Sequence, residues 1–480
     1  MTITYDKLFI GGEWRAPAST NTIAVHSAST EEFLGSVPEA VEADVDAAVS
    51  AARAAFDDPA GWSTWAPEQR ADAMERLAGI LEARSDELAR RVSSQNGMPI
   101  SISSQLEVGF PQMLLGYYAG LIRNTPLEEV RHGLLAGNEI RVRRLPIGVV
   151  AAIVPWNFPM ALTMFKMAPA FAMGCTMVVK PSPETVLDAQ LLAEAVHEAG
   201  IPAGVYNVVP AGREVGAYLV QHPGIDKVAF TGSTAAGRAI GEVCGRLLRP
   251  CTLELGGKSA SILLDDVDLP ASLEDLFSAT MLNSGQACYL GTRILAPANR
   301  YDEVVDTLTS FVGSLKVGDA LDPETMIGPM SSSRHRERVE SYIAKGKGDG
   351  ARVTTGGGRP ADLDRGWFVQ PTVFAEVDNN STIAQEEIFG PVLTVIRYSG
   401  DDEAVRIAND SAYGLGGSVW TSDPERGASV AVRIRTGTIG VNSYLPDPVA
   451  PFGGVKDSGL GREMGPEGLA SYQSLQSVYL

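Results

Sequence analysis

Between residues 149 and 230 short β-rich runs alternate with helical stretches, and this alternation limits the possible folds more than any other feature of the chain. The runs are 149–154, 176–180, 205–209 and 227–230. Strands separated by helices are joined by crossovers and therefore lie parallel. The fold class is α/β, with a doubly wound sheet whose ligands bind beyond the carboxyl ends of its strands. Asn157, Lys180 and Gly232 all stand at or just after such ends. After Gly256 a second alternating unit begins, with strands expected at 261–264, 292–296 and 392–398. It contains Cys288 and is expected to face the first unit across a cleft. Ahead of both, Val41, Val45, Val49, Ala52 and Phe56 recur at helical spacing, and Met74, Leu77, Leu81 and Leu88 do so behind Pro67. Two amphipathic helices are predicted there.

A chain of 480 residues is too long for one core and divides into two or three units. Its 58 acidic and 39 basic side chains leave a net charge of −19, which argues against a nucleic-acid or anionic-membrane surface. The stretch 145–165 is uncharged and follows Arg141, Arg143 and Arg144, as a membrane helix might be flanked. Pro146, Pro155 and Pro159 exclude that reading, because backbone groups freed by three prolines would be unpaired in lipid. A buried strand, turn and helix is expected instead. The first nine residues carry Asp6 and Lys7 and no apolar core, so no secretory signal is visible and a cytoplasmic location is expected.

Four cysteines, at 175, 244, 251 and 288, form no CxxC pair and have no histidine at zinc-ligand spacing, so no metal site is expected. The five histidines fall outside every motif, which leaves a Cys/His or Ser/His/Asp arrangement without support. Cys288 differs from the other cysteines by its neighbours, Gly285-Gln286-Ala287-Cys288, a tight backbone suited to a cleft. Glu254 lies between Leu253 and Leu255 and ahead of Gly256-Gly257, at a strand end where burial would raise its pKa and make it a usable base. Asn157, in Pro155-Trp156-Asn157-Phe158-Pro159, offers an amide to an oxyanion. Nucleophile, base and oxyanion donor together suit two-step chemistry through a covalent thioester.

These three motifs, in this order, resemble the aldehyde dehydrogenase superfamily. The resemblance extends over nearly the whole chain through Phe9-Ile10-Gly11-Gly12-Glu13-Trp14, Phe230-Thr231-Gly232-Ser233, Glu386-Glu387-Ile388-Phe389-Gly390-Pro391 and Pro451-Phe452-Gly453-Gly454. It implies a Rossmann-like parallel-sheet cofactor domain formed by residues 1–125 and 146–255, a catalytic α/β domain over 256–455, and a small β oligomerisation arm from 126–145 and 468–480. It also implies that Cys288 attacks the aldehyde carbon, that its own N–H and Asn157 hold the tetrahedral oxygen, and that Glu254 activates the water that hydrolyses the thioester. Lys166 and Glu463 match secondary polar positions near that carboxylate. Their alternative is a tie between helix ends.

The implied acceptor is NAD, with NADP possible. Gly232-Ser233-Thr234-Ala235-Ala236-Gly237 opens a helix after a strand, so its N–H groups and the Ser233 hydroxyl are placed to meet a pyrophosphate. Val154, Pro155, Trp156 and Leu255 are expected along the same crevice, and Glu387 and Phe389 at the nicotinamide ribose and ring. Lys180 and Ser182 are expected at the adenosine ribose. Many family members carry Glu three residues after this lysine, where this chain has Pro183, with Glu184 one place later. A displaced acid and a cation would together tolerate a 2′-phosphate.

Phe158, Leu162 and Phe165 share one helical face, which is expected to line the passage to Cys288. By resemblance Tyr289, Tyr444, Leu445 and Phe452 add aromatic and apolar wall. No Arg or Lys falls among these positions, so a medium-chain or aromatic aldehyde is expected over an anionic one. Two alternatives are a CoA-acylating enzyme, which usually lacks the Glu254 base, and a binding protein that kept the fold. Residues 139–145 and 475–480 are exposed strand candidates, and the resemblance implies that they pair between subunits of a homodimer or homotetramer.

Overall fold

The strand Val149–Ile153 is entirely buried, as are Thr176–Lys180 and Lys227–Thr231 on either side of it. Such near-continuous apolar runs are what a parallel sheet covered on both faces requires. The computed structural model, which describes residues 2–480, joins them in a six-stranded sheet. Its order is Tyr206–Val208, Thr176–Lys180, Val149–Ile153, Lys227–Thr231, Cys251–Glu254 and Gly459–Leu460. The first five strands are parallel, and Gly459–Leu460 adds antiparallel beside Glu254. Strand order reverses between Val149–Ile153 and Lys227–Thr231, so the crossovers leave on opposite sides and open a crevice at Val154 and Gly232.

The chain leaves this sheet at Glu254 and enters a seven-stranded sheet at Ala260. That sheet runs Arg352–Thr355, Thr372–Ala375, Val392–Tyr398, Arg293–Pro297, Ala260–Leu263, Gly417–Trp420 and Gly440–Val441. Every neighbouring pair is parallel except the first. Four of its strands escape the sequence reading because they are two to four residues long, too short for an apolar period to declare itself.

The stretch 145–165 becomes a buried strand, a turn and the helix Pro159–Met173. Every residue of that helix is buried, Pro159 opens it, and Gly174, at φ +92°, closes it. Among the described residues no helix is long and apolar enough to cross a membrane.

One expectation changes. Leu88 does not continue the helix that holds Met74, Leu77 and Leu81; that helix, Pro67–Ala83, ends at Arg84, and Ser85–Asn96 starts anew. Arg84, with φ −108° and ψ 16°, turns the chain, and its guanidinium is drawn to Glu194 and Glu198. The two exposed strand candidates pair with each other inside the chain: Gln473–Tyr479 lies antiparallel on Glu139–Pro146, whose other side pairs with Glu128–His132. Pairing within the subunit removes the edge of the middle strand and leaves exposed Leu475 and Tyr479 on an outer one.

Candidate active site

Three successive residues, Asn283, Ser284 and Gly285, adopt left-handed backbone with φ of 51°, 57° and 75°. The first two lack glycine's freedom, so neighbouring bonds must hold the turn against its strain. Ser284 donates from its hydroxyl to the Gly328 carbonyl and accepts from the Gly328 N–H. Gln286 accepts from the Ser331 N–H and donates to Asn283 O. A Cβ on Gly285 would sit 2.1 Å from the Gly390 carbonyl oxygen, so only glycine fits. The turn delivers Cys288 to the wall of a cavity.

Asn157 reaches the same cavity from the end of Val149–Ile153. Its Nδ2 donates to the Gln286 carbonyl at 2.9 Å, and its own carbonyl accepts from Asn283 Nδ2 at 3.0 Å. These two bonds tie the two turns together and leave the second Nδ2 hydrogen for the cavity. Phe158, Leu162, Phe165, Tyr289, Leu445 and Phe452 line it as expected. Tyr444 does not: it stands behind Tyr289, ring centroids 5.2 Å apart, with its hydroxyl on Thr438. Its own polar tip explains the position, since a buried phenol turns toward a hydrogen-bond partner. Leu106, Phe110, Ala161, Ala287 and Pro446 complete the lining. Leu106 and Phe110 have the i, i+4 spacing of one helical face, but nothing in the sequence says which element that face meets.

Glu254 is buried at the end of its strand, and neither carboxylate oxygen has a well-formed hydrogen bond. Burial, and then repulsion from Glu463, push its pKa well above the usual carboxylate range, against the pull of Lys166. A Cβ at Gly453 would lie 2.5 Å from its Oε1, so glycine there makes room for the carboxylate. Lys166, wholly buried in the middle of its helix, donates to Glu463 at 2.8 Å and to Thr231 at 2.6 Å. The pair therefore ties a helix interior to the Lys227–Thr231 strand end and to the loop before Gly465–Ala470. Burial, and then the carboxylates of Glu387 and Glu254, raise the Cys288 pKa, and its own N–H faces the sulfur. The other three cysteines do not line the cavity.

The crevice at the reversal of strand order has the features a dinucleotide needs. The helix Thr234–Arg246 begins there, and Ser233 caps it by accepting from the Ala236 N–H at 3.3 Å, which leaves its hydroxyl proton to point outward. A Cβ on Gly237 would meet the Leu255 side chain at 2.4 Å, so that glycine lets the helix close on Leu255. Val154 donates to Lys180 O at 3.2 Å. Lys180 is buried, donates to Pro181 O and Ala211 O, each at 2.9 Å, and is lowered to about 8 by burial. Ser182 donates to Glu184 at 2.5 Å, and that carboxylate acts on Lys180. The acid one place late in the sequence thus returns to the lysine in space.

Glu387 accepts from the Gly257 N–H at 2.9 Å and is raised to about 7 by burial. Phe389 has left-handed backbone, φ 65°, and its ring lies 5.4 Å from that of Trp156. The Trp156 carbonyl accepts from Asn96 at 3.0 Å. His335, which lies outside every sequence motif, packs 4.8 Å from Trp156, and its Nε2 bonds the Phe389 carbonyl at 2.6 Å. Burial lowers it to about 4, so it is a neutral brace for a strained residue. It was not legible because the helix that carries it is distant in sequence from both partners. Among the described residues no three or more His, Cys, Asp or Glu are grouped to hold a metal ion.

A doubly wound sheet thus stands opposite a second α/β unit, with a thiol, an amide donor and a buried carboxylate gathered where the two meet. The model of the Aldehyde dehydrogenase family matches residues 14–478, and the chain belongs to that family. It is an enzyme that oxidises an aldehyde to the carboxylic acid. It is 57% identical over its whole length to geranial dehydrogenase of Castellaniella defragrans, covering all of that chain, and 40% identical over 99% of its length to phenylacetaldehyde dehydrogenase of Pseudomonas fluorescens, 95% of which is covered. The Mycobacterium tuberculosis aldehyde dehydrogenase complexed with NAD+ superposes with a TM-score of 0.98 at 49% identity, covering 100% of this chain and 99% of that one.

The raised Cys288 pKa means that the free enzyme holds a thiol at pH 7, and that its thiolate fraction grows about tenfold per pH unit. Alkylation by iodoacetamide is expected to accelerate continuously from pH 7 to pH 9. A rate that levels off below pH 8 would show a thiolate already formed.

Proposed function

We propose that the enzyme oxidises an apolar aliphatic or aromatic aldehyde to its carboxylic acid through Cys288, with NAD+ as acceptor. The observation that carries this reading is the cavity, apolar throughout its lining except for Asn157, Cys288 and Tyr289. Geranial and phenylacetaldehyde, named for two relatives, are both apolar aldehydes. The NAD+ complex of the mycobacterial relative supports the cofactor, as does the crevice beside Gly232.

The Cys288 thiol adds across the carbonyl, its sulfur to the carbon and its proton through solvent to the oxygen, close enough to Glu254 for that carboxylate's charge to act on it. The oxygen of the resulting thiohemiacetal is held by the free Nδ2 hydrogen of Asn157 and by the Cys288 N–H, two donors fixed before the charge develops. NAD+, when bound, supplies the hydride acceptor that turns this adduct into a thioester. Glu254 then takes a proton from water, which attacks the thioester and returns Cys288 as the leaving group. A carboxylate with no well-formed hydrogen bond, raised by burial, is basic enough for that step. Lys166 and Glu463 act on Glu254 through their charges, the first lowering its pKa and the second raising it. Glu254 also favours water over CoA as the acyl acceptor.

The six-stranded sheet with residues 1–125 is assigned to the cofactor, 256–455 to catalysis, and 126–145 with 468–480 to assembly of a homodimer or homotetramer. Exposed Leu134 and Leu135, in the turn between two strands of that last sheet, and exposed Leu475 and Tyr479 on its third strand support the assembly. Four free cysteines support a reducing compartment, the cytoplasm.

Cys288→Ala is expected to abolish aldehyde-dependent NADH formation while NAD+ still binds. Glu254→Gln is expected to give one rapid burst of NADH and then a slow steady state, with an acyl adduct on Cys288 in the mass spectrum. Turnover without a burst and without adduct would remove Glu254 from deacylation.

Each methylene buried in the cavity is worth about 0.8 kcal/mol, so kcat/KM should rise from acetaldehyde to hexanal and be high for benzaldehyde. Succinic semialdehyde should trail them. Should it lead, the cavity is not the substrate site.

Glu184, held by the Ser182 bond and acting on Lys180 through its charge, would repel a 2′-phosphate on an adenosine ribose beside that lysine. NAD+ is therefore preferred, and Glu184→Gln is expected to raise kcat/KM for NADP+ about tenfold by removing like-charge repulsion. An unchanged cofactor ratio would place Glu184 away from the ribose.

A further inference from the structure

Glu107 is wholly buried in a π-helical turn, Ser104–Gly109, where the Phe110 N–H bonds the Gln105 carbonyl five residues back. π turns occur mostly where a helix serves a site. This one sends Leu106 and Phe110 into the wall of the aldehyde cavity. It turns Glu107 the other way, onto the first turn of Pro159–Met173.

That helix has no cap of its own, since Phe158 offers no side-chain acceptor. Its first position, Pro159, has no N–H, and the Leu162 N–H bonds the Phe158 carbonyl at 2.9 Å. The two remaining donors both go to Glu107: Met160 N–H to Oε2 at 2.7 Å, and Ala161 N–H to Oε1 at 3.4 Å. One carboxylate thus satisfies every N–H that the first turn leaves without a partner. The same helix supplies Ala161, Leu162 and Phe165 to the cavity. Phe110 and Phe165 face each other from the two elements with ring centroids 5.9 Å apart.

We propose that Glu107 is a positioning residue that sets the width of the aldehyde passage, because its carboxylate binds the π turn that carries one wall to the helix end that carries another. The inference rests on the reading that this cavity admits the aldehyde. Glu107 touches neither substrate nor cofactor, and acts through the spacing of Leu106 and Phe110 from Leu162 and Phe165. A short aldehyde contacts little of either wall, whereas a long chain needs both.

The test compares kcat/KM for octanal and acetaldehyde in the wild type, Glu107→Gln and Glu107→Leu, with NAD+ affinity measured in each. Leucine fills the volume and removes both acceptors; glutamine keeps one for the Met160 N–H. Glu107→Leu is expected to lower the octanal-to-acetaldehyde ratio at least tenfold with NAD+ affinity within twofold of wild type, and Glu107→Gln to hold the ratio within threefold. If the leucine variant does not fold, Glu107→Asp, which is one methylene too short to span the gap, carries the same expectation. A wild type that prefers octanal alongside a leucine or aspartate variant with an unchanged ratio would overturn the positioning role alone. A glutamine variant that loses as much as leucine would also overturn it. A wild type that prefers acetaldehyde would overturn the cavity reading and this inference with it.

Discussion

Everything at the site depends on two hydrogen bonds between turns that belong to different sheets. Asn157 gives one amide hydrogen to the Gln286 carbonyl, and its carbonyl receives the Asn283 amide. Each bond alone contributes about 1 kcal/mol net, but an unmade buried partner would cost more. Together they fix the oxyanion donor relative to the sulfur, and they also occupy half of what Asn157 can donate. What remains free is a single hydrogen, already oriented toward the cavity. Preorganisation of this kind is the largest contribution an active site makes to such chemistry.

A second constraint is the crowding of charge behind the nucleophile. Glu254, Lys166 and Glu463 are all buried, two carboxylates against one ammonium. Lys166 is bonded to Glu463, so Glu254 is the member left without a partner and carries the raised pKa. The arrangement separates the two acids by role: one is held by the lysine, the other is kept available for a proton. Glycine at 453 is what lets the unbonded carboxylate lie against backbone.

Much of this was legible before any coordinates. The strands at 176–180 and 392–398 begin and end as predicted, because their apolar runs are bounded by turn residues. Phe158, Leu162 and Phe165 meet the cavity because helical period fixes a shared face. Tyr444 stands behind the wall because its phenol turns to the Thr438 hydroxyl, and no local pattern in the sequence records that partner. The break at Arg84 was hidden because Leu88 keeps the apolar period across it. Glu107 and His335 were beyond reach for a different reason: each acts across a contact between elements far apart in the chain, and no local pattern records which N–H or carbonyl will lack a partner.

The strand Gly459–Leu460 pairs with Leu253 and Glu254, and Gly453 and Glu463 flank the same carboxylate. All of these come from the end of the chain, whereas the nucleophile and its amide donor come from the middle. During synthesis the thiol turn and the Asn157 turn can meet while the chamber around Glu254 still lacks one of its walls. An unfinished chain would therefore own a nucleophile but not the environment that makes its base basic. The wall around Glu254 is thus the last part of the site to leave the ribosome, and this carboxylate acquires its surroundings only once the end of the chain has folded against its strand.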